Sequence, residues 1–201
     1  MSIRAVIFDF GDVLVRMEDW SLHRKWETHL GLSEGELIDV VFMSDMAVRG
    51  ALGQVTARDI WQHMASRFNL DAEQIRLLEQ DFWSKQFLDT ELVAFLRSLR
   101  PRYKTAILSN AWSDAREVFT HIYALADAVD EIIISAEEGM KKPDPRIFQL
   151  SAQRLGVQPH ETIFVDDLAP NVEAARALGM RGIQFKTTAQ VIADVRRHLD
   201  E

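Results

Sequence analysis

Ala5-Val-Ile-Phe8, followed without a break by Asp9-Phe10-Gly11-Asp12, is the stretch that decides the fold. A short apolar run rich in β-formers, closed by an acid and a glycine turn, reads as a strand buried on both faces that ends in a polar loop. The same pattern returns further along the chain. Lys104-Thr-Ala-Ile-Leu108 runs into Ser109-Asn110, Glu131-Ile-Ile-Ile134 into a loop holding Lys141-Lys142-Pro143, and Thr162-Ile-Phe-Val165 into Asp166-Asp167. Gly182-Ile-Gln-Phe185 reads as an edge strand. Helical signals separate these runs. Leu92, Phe95, Leu96 and Leu99 form a stripe that stops at Arg100-Pro101, as the restriction on residues before proline predicts. Asp144-Pro145 opens a helix that Gly156 closes, Pro170 opens a segment ending at Gly179, and Thr187 with Gln190 makes a capping box for the last helix. Strands alternating with helices predict an α/β fold built on a Rossmann-like parallel sheet.

The stretch from about residue 16 to 88 breaks this rhythm: it holds amphipathic helices and no strand-like run. Leu22, Trp26 and Leu30 supply one apolar stripe. Ser33 with Glu36 starts a helix carrying Leu37, Val40 and Val41; Thr56 starts one with Ile60, Trp61, Met64 and Phe68; Asp71 with Gln74 starts one with Ile75, Leu78 and Phe82. These predict a small helical bundle inserted after the first strand, residues 16–88, between core segments 1–15 and 89–201. Most of its tryptophans should pack the bundle. His23, Arg24 and Lys25 read as a solvated helix face, and Arg49-Gly50 as a break between helices from which Arg49 could reach a substrate.

The 201 residues carry a net charge of −8 with acids and bases interspersed. Such a chain is repelled by nucleic acid and by anionic membranes, so neither is an expected partner. The absence of cysteine excludes disulfides, thiolate catalysis and zinc–thiolate sites. No apolar run approaches the ~20 residues of a membrane span, and the first residues lack a signal-peptide layout. The expectation is a cytoplasmic protein, monomer or homodimer.

Open parallel sheets bind ligands beyond the carboxyl ends of their strands. The residues gathered there are Asp9, Ser109, Lys142 (through its loop) and Asp166-Asp167. Three carboxylates converging at one rim call for a cation, and oxygen ligands without cysteine or clustered histidine make Mg2+ the natural candidate. Ser109, the Asn110 amide and Lys142 are donors suited to phosphate oxygens. The set describes phosphoryl transfer to a carboxylate nucleophile.

At these residues the chain resembles the haloacid dehalogenase-like superfamily. The segments that carry the likeness are Phe8-Asp-Phe-Gly-Asp-Val13, Leu108-Ser-Asn110, Gly139-Met-Lys-Lys-Pro-Asp-Pro-Arg-Ile-Phe148, and Phe164-Val-Asp-Asp167 followed by Asn171, all in order. Within it the chain looks most like the branch of sugar-1-phosphate phosphatases and epoxide hydrolase phosphatase domains, which share a helical cap inserted after the first motif. The resemblance implies a phosphatase in which Asp9 attacks phosphorus and also binds Mg2+, aided by the Gly11 backbone carbonyl. It implies that Ser109 and the Asn110 amide hold the phosphoryl group and that Lys142 neutralises Asp9 and phosphate. Asp167 would be a direct metal ligand, Asp166 would act through water, and Asn171 would support the loop. The expected partner is a small phosphorylated metabolite such as a sugar phosphate.

One departure stands out. Most phosphatases of this kind have a second Asp two residues after the nucleophile as general acid/base, where this chain has Gly11 and then Asp12. Losing an acid/base typically removes roughly 10²–10⁴-fold in rate. A good leaving group, a substitute such as Asp12 or a cap residue, or weak or absent catalysis would each account for it. A haloacid dehalogenase, which needs no metal, and a catalytically silent phosphate-binding protein are the competing readings. The pair Asp166-Asp167 weighs against the first, and retention of Asp9, Lys142 and Asp167 together against the second.

Overall fold

The computed structural model describes residues 2–200. Strands β1 (Ala5–Phe8), β4 (Lys104–Ser109), β5 (Glu131–Ile134), β6 (Thr162–Asp166) and β7 (Arg181–Gln184) form one parallel sheet in the order β5-β4-β1-β6-β7. The α/β class and the edge position of the last strand are as expected. Alternation along the central strand sends its side chains to opposite faces. Val6 and Phe8 enter one apolar cluster with Leu92, Leu96, Val191 and Val195, from helices α6 (Thr90–Ser98) and α11 (Thr188–Leu199). Ala5 and Ile7 enter the other with Ile147, Phe148 and Ala175, from α9 (Pro145–Arg154) and α10 (Ala169–Ala177). Burying one such side chain contributes about 1.5–3 kcal/mol, so the continuous apolar run of β1 is what makes it the middle of the sheet. Short helices α7 (Ala115–Glu117) and α8 (Ser135–Glu138) follow β4 and β5.

Between β1 and β4 lie α1 (Ser21–Leu30), α2 (Glu36–Phe42), α3 (Asp45–Ala51), α4 (Ala57–Phe68) and α5 (Ala72–Trp83). They pack on a separate apolar cluster, centred on Leu37, Ile60, Met64, Leu78 and Phe82, to which Trp112 from beyond β4 also belongs. The expected start of α4 at Thr56 is observed, with a capping box to Asp59 that was not foreseen, and the expected box of α5 at Asp71 is formed. The box at Ser33 is only half made. Glu36 accepts the Ser33 N–H at 2.8 Å, but the helix starts after Gly35, whose φ of 85° is a left-handed turn. In the last helix Thr187 caps as expected, while the side-chain Oε1 of Gln190 accepts the Lys186 N–H instead of that of Thr187.

The insert departs from the sequence reading in three further places. Strands β2 (Val15–Met17) and β3 (Gln86–Leu88), not expected, pair antiparallel at its two ends. The boundaries expected at residues 16 and 88 fall inside this ladder. Their charge balance explains why it stays put: Arg16 pairs with Asp89 at 2.7 Å, and Asp89 also accepts from the Thr188 hydroxyl. Second, Trp26 of the expected stripe is buried and Leu30 packs against the same cluster, but the rest of the buried face of α1 is His23 and Glu27 in place of Leu22, with no solvated patch at His23. Glu27 is inside because its carboxylate accepts the Leu37 N–H at 3.2 Å, and the Trp26 indole donates to Asp81 at 2.9 Å. Arg24 and Lys25 are exposed, as expected. Third, Arg49-Gly50 is no break: both residues lie within α3, capped by Ser44. Among the described residues no helix is long and apolar enough to cross a membrane.

Candidate active site

Sheet register assembles the site. Phe8 is level with Ile107 and Val165, so Asp9, one residue on, lies between the ends of β4 and β6. Its N–H donates to the Val165 carbonyl at 2.8 Å, and one of its carboxylate oxygens accepts the Phe10 N–H at 2.7 Å. Ser109, buried, ends β4, and Asp166, buried, ends β6. Lys142 arrives from the loop between α8 and α9, only 1% exposed. Its Nζ sits 2.7 Å from Asp9 Oδ1 and 2.7 Å from Asp166 Oδ2. The distant motifs of the sequence thus meet at one point.

Asn110 holds this lysine from behind. Its Oδ1 accepts the Lys142 N–H at 2.8 Å and its Nδ2 donates to the Lys142 carbonyl at 2.9 Å. The sequence reading gave only the Asn110 backbone amide a task, toward phosphate. Turn chemistry of Asn was visible, but its partner, 32 residues away, was not. Asp166 is held just as fully. Asn171 Nδ2 donates to both of its oxygens at 3.0 and 3.1 Å, and the Leu168 N–H to Oδ1 at 2.8 Å. The loop-supporting position expected of Asn171 therefore has a definite form: it fixes Asp166.

The electrostatics are lopsided toward the acids. One carboxylate oxygen from each of Asp9, Asp166 and Asp167 lies within 4.8 Å of the others. Burial pushes Asp9 up to about 7; the Lys142 ammonium opposes this and the Asp166 charge adds to it. Asp167 is pushed up to about 6, first by burial and then by the charges of Asp166 and Asp12. Burial pulls Lys142 down, but Asp9 and Asp166 outweigh it and hold the ammonium above its ordinary value. One lysine does not balance three carboxylates. The remaining negative charge, with oxygen donors only, fits a hard divalent cation. Since the oxygens of Asp166 are engaged by Lys142, Asn171 and Leu168, Asp9 and Asp167 have the oxygens free to meet it directly.

Other candidates fall nearby or outside. The turn after Asp9 closes through the Asp12 N–H to the Val15 carbonyl at 2.9 Å. A side chain at Gly11 would meet nothing within 4 Å, so the missing acid is not a steric necessity. Asp12 has a left-handed φ of 54°, and desolvation pushes its carboxyl up, against the pull of Arg16. Strain of this kind in a residue other than Gly gathers at functional turns. Arg49 is exposed, its guanidinium 3.8 Å from Met46 Sδ; the structure gives it no contact with the rim. His23 is the one buried side chain among the described residues whose polar atoms lack a partner. Its ring lies 5.1 Å from Trp20 and 4.9 Å from Phe82, and burial lowers its pKa despite Glu27.

A model of the haloacid dehalogenase-like hydrolase family matches residues 3–179. Acyl-CoA dehydrogenase family member 10 of Mus musculus is 32% identical over 199 residues, covering 91% of this chain. Bifunctional epoxide hydrolase 2 of Rattus norvegicus is 31% identical over 99 residues, 47% of this chain. The chain spans 18% of the length of each of these two proteins. A phosphatase of Mycobacterium tuberculosis is 29% identical over 217 residues, covering 99% of this chain and 94% of its own. Among solved structures, a HAD-like family hydrolase from Porphyromonas gingivalis superposes with a TM-score of 0.80 at 22% identity over 100% of both chains. A HAD family enzyme of Bacteroides thetaiotaomicron, in complex with magnesium and inorganic phosphate, gives 0.77 at 20% identity over 92% of this chain and 95% of its own.

Proposed function

The chain belongs to the haloacid dehalogenase-like hydrolase family, and from that premise we propose that it is a Mg2+-dependent phosphatase of a small phosphorylated metabolite. Asp9 is the nucleophile: its carboxylate forms a bond to phosphorus as the ester oxygen leaves, and water then hydrolyses the phospho-aspartate. The observation that carries this is the meeting of Asp9 with Lys142 at 2.7 Å beside Asp166 and Asp167.

Lys142 opposes the burial that favours the neutral form of Asp9 and faces the incoming phosphoryl oxygens with its ammonium. Ser109 and the Asn110 amide complete the donors around the transferred group. A Mg2+ ion held by Asp9, Asp167 and the Gly11 carbonyl, with Asp166 reaching it through water, would supply charge neutralisation on those oxygens. Residues 16–88 act as a cap over the rim, and Arg49, on an exposed turn of α3, is a candidate contact on its substrate side. With Gly11 where an acid would stand, the substrate's leaving group has to depart with little protonation or take its proton from Asp12.

Purified protein with Mg2+ should release phosphate from p-nitrophenyl phosphate, and Asp9→Asn should reduce turnover by more than ~10⁴-fold, the scale seen when a covalent nucleophile is removed. Turnover that survives Asp9→Asn ends the nucleophile assignment. EDTA should stop the reaction, and halide release from a 2-haloacid in EDTA would instead identify a dehalogenase.

A further inference from the structure

Partly exposed aromatic rings of the insert meet the segment that follows Ser109 at the end of β4. Trp112 lies three residues past Ser109, so the two Cα atoms are at most about 11 Å apart. Its indole N–H donates to the Ala47 carbonyl of α3 at 3.2 Å. Its ring stands 5.6 Å from Phe42 and 6.1 Å from Trp83, which are themselves 5.9 Å apart. The three rings form one closed triangle. Phe82 backs it, 5.5 Å from Phe42 and 4.8 Å from Trp83.

Exposure separates the two sides of this triangle. Trp112 is 7% exposed, whereas Phe42 and Trp83, at the last turns of α2 and α5, are 38% and 36% exposed. Two large rings left partly exposed together, beside the segment that follows Ser109, are not the scattered single apolar residues of an ordinary surface. Among the described residues no cation lies over any of the three rings. The nearest titratable ring behind them, His23 against Phe82, is held toward its neutral form by burial. The ring faces are therefore apolar, while the part-buried carboxylate of Glu79, one turn before Trp83, and that of Asp114, two residues past Trp112, interact at their edge.

We propose that Phe42, Trp83 and Trp112 form the leaving-group subsite, and that the substrate is a phosphate monoester with an apolar body rather than a polyhydroxylated one. This rests on the phosphatase reading above. Flat or hydrocarbon groups gain from contact with such rings in proportion to the area they bury, while each hydroxyl placed there without a partner loses its water.

The test uses the full chain with Mg2+ and p-nitrophenyl phosphate, inhibited by n-alkylphosphonates from methyl to hexyl. Their head group is constant, so each added methylene reads apolar contact alone. The expected result is an inhibition constant falling about two- to fourfold per methylene, with the trend flattened in Trp83→Ala and inhibition by inorganic phosphate unchanged. If circular dichroism shows Trp83→Ala unfolded, Phe42→Ala gives the same reading. Inhibition independent of chain length, a slope that persists in the folded variant, or a sugar 1-phosphate binding more tightly than hexylphosphonate overturns the subsite while turnover stands. No turnover on any phosphate ester instead removes the phosphatase reading on which it rests.

Discussion

The side chain of Asn110 closes a two-bond ring on the backbone of Lys142, accepting from its N–H at 2.8 Å and donating to its carbonyl at 2.9 Å. A residue beside the nucleophile's neighbour strand thereby sets where the ammonium can sit. Asn110→Ala removes the partners of both part-buried backbone groups of Lys142, at about 1–3 kcal/mol. It also loosens Lys142, and a misplacement near 1 Å costs roughly 10²-fold in rate. Thermal unfolding and steady-state kinetics check this; an unchanged kcat would show that the ring is structural decoration only.

Asp166 is the counterpart on the other side of the ammonium. Asp166→Ala leaves Lys142 with one carboxylate in place of two, and Asn171 with a donor facing a void. Removing one partner of a buried pair destabilises by roughly 3–5 kcal/mol. Urea denaturation should show the loss directly, with activity falling alongside it.

Magnesium and protons should compete. Asp9 at about 7 and Asp167 at about 6 stand above the ordinary carboxylate value of 3.8. The folded metal-free protein thus holds these protons more tightly than the unfolded chain does. Their contribution to stability is fully present below about pH 4 and is lost as pH rises through 6 to 7. A divalent cation has to displace the same protons. Added Mg2+ should therefore raise Tm more at pH 8 than at pH 5. Equal shifts at both values would mean that these carboxylates are not the ligands.

Gly53 presses against the core. A Cβ there would come within 2.1 Å of the Ala136 carbonyl oxygen, and its φ of 70° is left-handed. Gly53→Ala collides with backbone, which cannot swing aside as a flexible side chain can, and destabilises by more than ~1 kcal/mol. A lower Tm together with a lower kcat/KM is the expected outcome, since the clash lifts the insert away from the rim.

Much of this architecture was legible because the signals were local. An apolar run closed by Asp9, Ser109 or Asp166 shows both the strand and the end at which ligands gather. Asp71 and Thr56 announce helices through contacts three residues away. What stayed hidden depends on partners far along the chain. The β2–β3 ladder is too short to carry an alternation, and it exists because Val15 finds Leu88. His23 looks polar and solvated until the packing of Trp20 and Phe82 encloses it. Arg49-Gly50 reads as a break because glycine weakens helices, yet Gly50 is there for room: a Cβ would lie 2.4 Å from Ile60 and 3.1 Å from Trp112. Asp166 looked like a ligand held in reserve, and its engagement by Asn171 appears only when both are placed.

Trp112 follows β4 in the chain but is buried among the side chains of α3, α4 and α5. The Ala57 N–H at the start of α4 donates to the hydroxyl of its neighbour, Ser113, at 3.2 Å. The helices between β2 and β3 are thus not a self-contained module. Recombination that exchanged them between relatives at the two linkers would deliver an interior with an indole-sized hole, and only a third transplanted segment, around residues 111–114, would fill it.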